Sequence, residues 1–247
     1  IEPPISLTDA NSIRDEKVKV LRSMKRLTTK DIPTKTVRAQ YASGTIDGKD
    51  VPGYLEEKGV NSSSTTETFV AMQLGIDNWR WAGVPIYVRV GKRLAKRQTE
   101  VSVFFKKPPM SPFEGKDVGH LSHNILTIQV QPVESITLSI NSKPPGPRLK
   151  MRSVDMDFNY HGSFEEDSPE AYERLLLDAM KGNATLFIRN DEIEEAWSLL
   201  SPILEAWSGD VKTAPKLYQY PSGSEGPDAM HNIVRQNGHE WRSQTKQ

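Results

Sequence analysis

The sequence predicts an α+β protein built on a large, mostly antiparallel sheet with helices packed on one face. Three observations predict it. Short segments with period-two alternation of apolar residues follow one another between about residues 37 and 160. The connections between them are short, which favours antiparallel pairing because parallel pairs need long crossovers. Helical periodicity is confined to the chain before and after that stretch, the mark of segregated helices and strands.

The elements follow in order. Glu2-Pro3-Pro4 is extended, since proline restricts itself and the residue before it. A helix is predicted over residues 12–24, with Ser12 as its N-cap, Asp15 and Glu16 in the first turn and Arg22 near the end. Residues 37–54 read as a strand, a turn and an excursion through Gly48, Pro52 and Gly53. Residues 65–77 alternate with period two and are read as a strand, although propensity alone allows a helix. Further strands are predicted at 85–90, 101–105, 124–131, 134–141 and 154–160. Ser168-Pro169-Glu170 is a helix start, and Tyr172, Leu175, Leu176, Ala179 and Met180 are its expected buried face. A second helix begins at Asp191, with Ile193, Ala196, Trp197, Leu200, Leu204 and Trp207 on one side. Pro202 should bend it, at a cost of about 3 kcal/mol for an interior position. The tail from Tyr220 is turn-rich and ends in a short helix over 230–235. A single sheet covered on one face leaves the other bare, which predicts self-association through it.

Composition excludes several classes. The 247 residues hold 26% charged and 36% hydrophobic residues, ordinary for a folded domain. With no cysteine there are no disulfides, thiol nucleophiles or thiolate zinc sites. No stretch approaches the roughly 20 apolar residues of a membrane helix, and the N-terminus lacks the features of a signal peptide. A cytoplasmic protein without a membrane partner is expected. The start at Ile1, without Met, suggests a processed chain or a fragment.

Thirty-two cations balance thirty-two acids, but the balance is uneven along the chain. Residues 89–107 carry seven cations (Arg89, Lys92, Arg93, Lys96, Arg97, Lys106, Lys107) and one acid, Glu100; residues 155–205 carry thirteen acids against three cations. Cations converging from one connection beside Gly91 suit a phosphate dianion, through point-charge Lys and forked Arg. A solvated basic hairpin tip accounts for them equally well. Nucleic acid is not the expected partner, because aromatic residues are not interleaved with the charges. No dinucleotide fingerprint, P-loop or nucleophile elbow occurs. His120 and His123 form an HxxH pair without a carboxylate cluster, so no metal is assigned. Gln131 ends a strand beside Pro132; it either pairs with backbone or contacts a sugar hydroxyl. Trp79, Trp81 and Trp197 are expected in the core rather than stacked on a sugar.

Several long blocks carry a resemblance. They are RDEKVKVLR (14–22), RAQYASG (38–44), VPGYLEEKGV (51–60), STTETFVAM (64–72), DNWRWAGVPIYVRVGKRLAKR (77–97), PEAYERLLLDAMKGN (169–183) and GSEGP (223–227). In this order they resemble glucose-6-phosphate dehydrogenase, its C-terminal domain in particular, over nearly the whole chain.

The resemblance implies one domain over 1–247 that binds substrate and oligomerises, as a homodimer or homotetramer through the sheet. It implies an oxidoreductase of the oxidative pentose phosphate pathway, which oxidises glucose 6-phosphate at C1 to 6-phosphogluconolactone with NADP. The family's GxxGDLA and RIDHYLGKE segments are absent, and its catalytic histidine lies upstream of the segment matching Ile1 to Pro4. No catalytic residue is therefore assigned, NADP is expected to bind mainly to an N-terminal domain outside these residues, and the chain alone is expected to be inactive. Three family substrate contacts match Lys92, Arg97 and Gln131. A second, structural NADP known in some animal members is expected to be absent or weak, because Gln98, Ser102 and Gln129 replace cations. A rival reading is a non-enzymatic binding or assembly module with the same fold.

Overall fold

The computed structural model describes residues 1–110, 121–147, 150–163, 171–209 and 214–243. The chain divides into two compact units, Ile1–Lys96 with Glu170–Gln247, and Arg97–Pro169. In chain order the first unit opens with helices α1 (Ala10–Ser23) and α2 (Ile32–Lys35), strand β1 (Thr36–Ala42) and a small hairpin, β2 (Gly44–Ile46) and β3 (Lys49–Val51). It continues with β4 (Phe69–Leu74) and β5 (Ile86–Gly91). The second unit holds β6 (Thr99–Phe104), β7 (Ile125–Gln131), β8 (Ser135–Ser142), β9 (Arg152–Asn159) and the short α3 (Tyr160–Ser163). The chain then returns to the first unit as α4 (Ala171–Met180), α5 (Asn190–Ser208), β10 (Leu217–Pro221) and α6 (Met230–Arg235).

The α+β class holds. The strands form two four-stranded sheets, β10-β1-β4-β5 and β6-β7-β8-β9, rather than the one ladder expected. The first ladder ends at Gly91, where the backbone turns: Arg93 takes the left-handed φ of 50°, and the Ala95 N–H donates to Ser224 O instead of a strand. Among the described strands all pairings are antiparallel except one. β10 runs parallel to β1, with Tyr41 opposite Tyr220. The sequence predicts no strand at 217–221, because a five-residue segment ending in Pro221 ahead of two glycines has little period-two signal.

In the first unit, Val37, Ala39, Phe69, Ala71 and Tyr220 of the sheet pack with Met230 and Ile233 of α6. A second cluster joins Leu27 and Ile32 to Ile203 and Trp207 of α5. The N-cap of α1 is Asp9, whose carboxylate accepts from the Asn11 and Ser12 N–H groups. Ser12, the expected cap, sits in the first turn and donates its hydroxyl to Asp9 at 2.6 Å. Asp9 wins because it holds the extended backbone that a cap requires.

The expected buried face of α4 is not buried. Tyr172 is 78% exposed and Met180 80%, whereas Asp178 is buried and accepts from the Asn183 amide at 3.1 Å. Periodicity finds an apolar stripe but not what covers it. The start of this helix at 168–170 lies outside the described residues. Along α5 the expected stripe divides: Trp207 is buried, while Trp197 and Leu200 are exposed, and Ile203, outside that stripe, is buried. Pro202 lies inside that helix.

In the second unit the register puts like with like. Val101 pairs with Ile128, Ile128 with Ile136, and Ile136 with Phe158. Leu138 pairs with Met156 and Ile140 with Val154. Directly paired residues share a face, so one face of this sheet is apolar, and Val101, Ile128, Val130, Val154, Met156 and Phe158 on it are exposed. The opposite face is mostly polar, with Phe104 and Ile125 paired at its end: Thr137 donates to Asp157, Ser139 to Asp155, and Ser102 and Thr127 share a hydrogen bond.

Candidate substrate-binding segment

The segment from Gly91 to Ala95 is fastened to the first unit from several sides. Gly91 lies opposite Phe69 in the β4–β5 ladder. A Cβ there would meet the Phe69 ring at 2.6 Å and the Leu94 methyls at 3.1 Å. The adjoining atoms of the same ring abut Gly226, which has φ +123° and where a Cβ would lie 2.7 Å from the ring. Two glycines thus make room for one buried phenylalanine. The turn after β10 closes over the segment: the Gly223 N–H donates to Arg93 O, and Ser224 O accepts from the Ala95 N–H, both at 2.8 Å. Lys92 is held through its main chain. Its N–H donates to Thr68 O at 2.9 Å and its carbonyl accepts from the Tyr220 hydroxyl at 2.7 Å. Its side chain faces solvent.

The cations read from the sequence divide into two groups. Arg89 is internal: its guanidinium lies 3.5 Å from the Glu225 carboxylate, donates to Arg242 O and sits over the Trp241 ring at 5.2 Å. Arg93 is internal too, donating to Glu57 above the Tyr41 ring at 5.2 Å. Contact with the Tyr41 hydroxyl, then the Glu57 hydrogen bond, raises the Arg93 pKa further, while burial raises that of Tyr41. Both arginines are fixed by carboxylates and aromatic rings, as burying a guanidinium requires. Lys92, Lys96 and Arg97 are exposed and make no ion pair among the described residues.

Residues 1–242 match the family model "Glucose-6-phosphate dehydrogenase, C-terminal domain". The chain belongs to the glucose-6-phosphate dehydrogenase family. It is 43% identical over 244 residues to glucose-6-phosphate 1-dehydrogenase of Dickeya dadantii, covering 98% of this chain and 49% of that protein. It is 45% identical to the Aggregatibacter actinomycetemcomitans enzyme, again over 98% of this chain and 47% of that protein. A solved glucose-6-phosphate dehydrogenase in complex with its substrate glucose-6-phosphate superposes with a TM-score of 0.83 at 33% identity, over 98% of this chain and 48% of that one. The Mycobacterium avium structure gives 0.77 at 33% identity, over 98% and 46%. The chain thus spans about half the length of the curated relatives it matches.

Arg97 and Gln131 lie in the second unit. Thr99 is paired with Gln131, beside an irregularity between Thr99 and Glu100, so Arg97 and Gln131 stand at one end of the β6–β7 pair. The Gln131–Pro132 peptide is cis, and the Gln131 side chain is exposed. Gln98 precedes β6, and Ser102 donates across to Thr127 or accepts from it.

His123 contacts Phe105 O through Nδ1 at 2.7 Å; His120 lies outside the described residues. Among the described residues no group of three ligating side chains gathers for a metal, and no helix is long and apolar enough to cross a membrane. Trp79, expected in the core, is fully exposed, and Trp197 is 55% exposed.

The sequence reading missed the partners that build the segment: Glu57, Phe69, Tyr220 and Gly226. The block GSEGP was recognisable, but nothing in it announces a contact with residues some 130 positions away.

Proposed function

We propose that this chain is the substrate-binding and oligomerisation part of an NADP-dependent glucose-6-phosphate dehydrogenase, which oxidises glucose 6-phosphate at C1 to 6-phosphogluconolactone in the oxidative pentose phosphate pathway. Lys92 supplies a point charge to the phosphate. Arg97 adds a forked donor for phosphate or sugar oxygens, and the Gln131 amide reads a sugar hydroxyl in both directions. The observation that carries the reading is the exposed ammonium of Lys92 on a segment whose backbone is bonded on both sides. The substrate in the related solved structure supports it. A rigid mount for a flexible cation lowers the ordering cost of binding a dianion.

Because Arg89 and Arg93 are committed to Glu225 and Glu57, they serve as struts rather than as phosphate ligands. The 247 residues hold no glycine-rich dinucleotide turn. They therefore do not supply the main NADP site. The proton of the C1 hydroxyl is assigned to a general base outside these residues. The exposed apolar face of β6–β9 is the assembly surface, in a homodimer or homotetramer. A cytoplasmic setting suits a chain without cysteine.

The test is Lys92→Ala in the intact protein that contains this chain. One charge-assisted hydrogen bond contributes about 1.5–3 kcal/mol, so the KM for glucose 6-phosphate should rise about tenfold or more, with the KM for NADP unchanged. An unaltered sugar KM refutes the assignment.

A further inference from the structure

Resting on the assignment of Lys92 to the phosphate, we propose that Tyr220 is a positioning residue for substrate binding: its buried hydroxyl anchors the Lys92 carbonyl and so fixes the point from which the ammonium reaches the ligand. Tyr220 is 1% exposed, and its ring packs on Phe69 with centroids 5.4 Å apart. A phenylalanine would fill that space equally well. What the hydroxyl adds is a set of polar contacts. It lies 2.7 Å from Lys92 O, 3.3 Å from Thr68 O and 3.3 Å from Thr68 Oγ1. A phenol has one proton to donate, and the shorter distance directs it to Lys92. Burial raises the Tyr220 pKa, so the group remains a donor.

The Lys92 N–H is bonded to Thr68 O at 2.9 Å, so its peptide groups are pinned before and after the Cα. A lysine stem has four rotatable carbons and large rotamer freedom. The backbone mount is then the main constraint on where its charge can go. Tyr220 comes from β10, 128 residues further along the chain, so the C-terminal strand is coupled to the cation that meets the substrate. Removing the hydroxyl leaves the Lys92 carbonyl without this donor and loosens that mount.

The experiment uses the intact protein that contains this chain, with glucose 6-phosphate and NADP as probes. Tyr220→Phe should raise the KM for glucose 6-phosphate about fivefold while kcat and the KM for NADP stay within about twofold. Ser222→Ala is the matched control. Ser222 is also buried and donates to Ala42 O at 2.8 Å, so its loss should lower the melting temperature without moving the sugar KM. In a Lys92→Ala background, Tyr220→Phe should change kcat/KM no further, because the two act as one unit. Gly91→Ala displaces the segment from its other side, against the Phe69 ring. It should raise the sugar KM in the same direction, so a Tyr220→Phe variant that does not fold still leaves a readout. An unchanged sugar KM in folded Tyr220→Phe, or an equal effect with and without Lys92, overturns the inference. An unchanged sugar KM in Lys92→Ala overturns the substrate assignment instead.

Discussion

The guanidinium of Arg93 is bound to the carboxylate of Glu57, and the Tyr41 hydroxyl donates to the same carboxylate at 3.2 Å. Arg93 is the immediate neighbour of Lys92, yet its charge is consumed inside the protein. The pair is partly buried, with each side chain 29% exposed. We expect Arg93→Ala to lower stability by about 1–2 kcal/mol and to raise the KM for glucose 6-phosphate less than Lys92→Ala does. Urea melts and steady-state kinetics check both. A larger kinetic effect at Arg93 than at Lys92 would reverse their roles.

Gly226→Ala should be more damaging than its size suggests. The residue has φ +123°, and its new Cβ would lie 2.7 Å from the Phe69 ring and 3.1 Å from the Met230 sulfur. Backbone strain and overpacking each cost about 1–3 kcal/mol. A thermal midpoint equal to that of the unaltered protein would contradict this account of the Phe69 site.

Assembly through the β6–β9 sheet predicts that Met156→Glu gives a smaller species by size exclusion with light scattering. Met156 is 60% exposed on the apolar face, next to Leu138 on the adjoining strand. A charge there would be buried without a partner in any interface formed by this face. An undiminished oligomer places the contact elsewhere.

Asp31 links stability to acid. Hydrogen bonds from the Lys35 ammonium, then from the Thr28 hydroxyl and N–H, hold its carboxyl well below the ordinary value of 3.8. A lowered folded pKa means that the unfolded chain binds the proton first as pH falls. The contribution is therefore fully present above the ordinary value and lost as pH drops below it towards the folded one. Melts of the unaltered protein and Asp31→Asn should differ at pH 7, with the gap closing below about pH 4. A gap that widens on acidification would show the opposite sign.

The strands were legible where one face of the segment is apolar. Residues 125–131 and 135–142 alternate cleanly, and the structure pairs them with apolar residues opposite each other. The short α6 was legible at its observed bounds, Met230–Arg235. The site was legible only in part. Lys92 sits in a dense run of cations, but the run itself does not distinguish an exposed cation from one paired inside the fold. That distinction depends on Glu57 and Glu225, which lie 36 and 136 positions from their arginines.

By itself the sequence determined the local choices: alternation that makes strands, the glycine that ends β5, the family blocks, and a chain without thiol chemistry. Those follow from side-chain shape and neighbours in the chain, which every residue carries with it. Only the tertiary structure decided that β10 joins β1 in parallel, that Phe69 meets both Gly91 and Gly226, and that Tyr220 binds the Lys92 carbonyl. Such contacts join distant residues through geometry that forms only when the core closes, and periodicity along the chain does not record them.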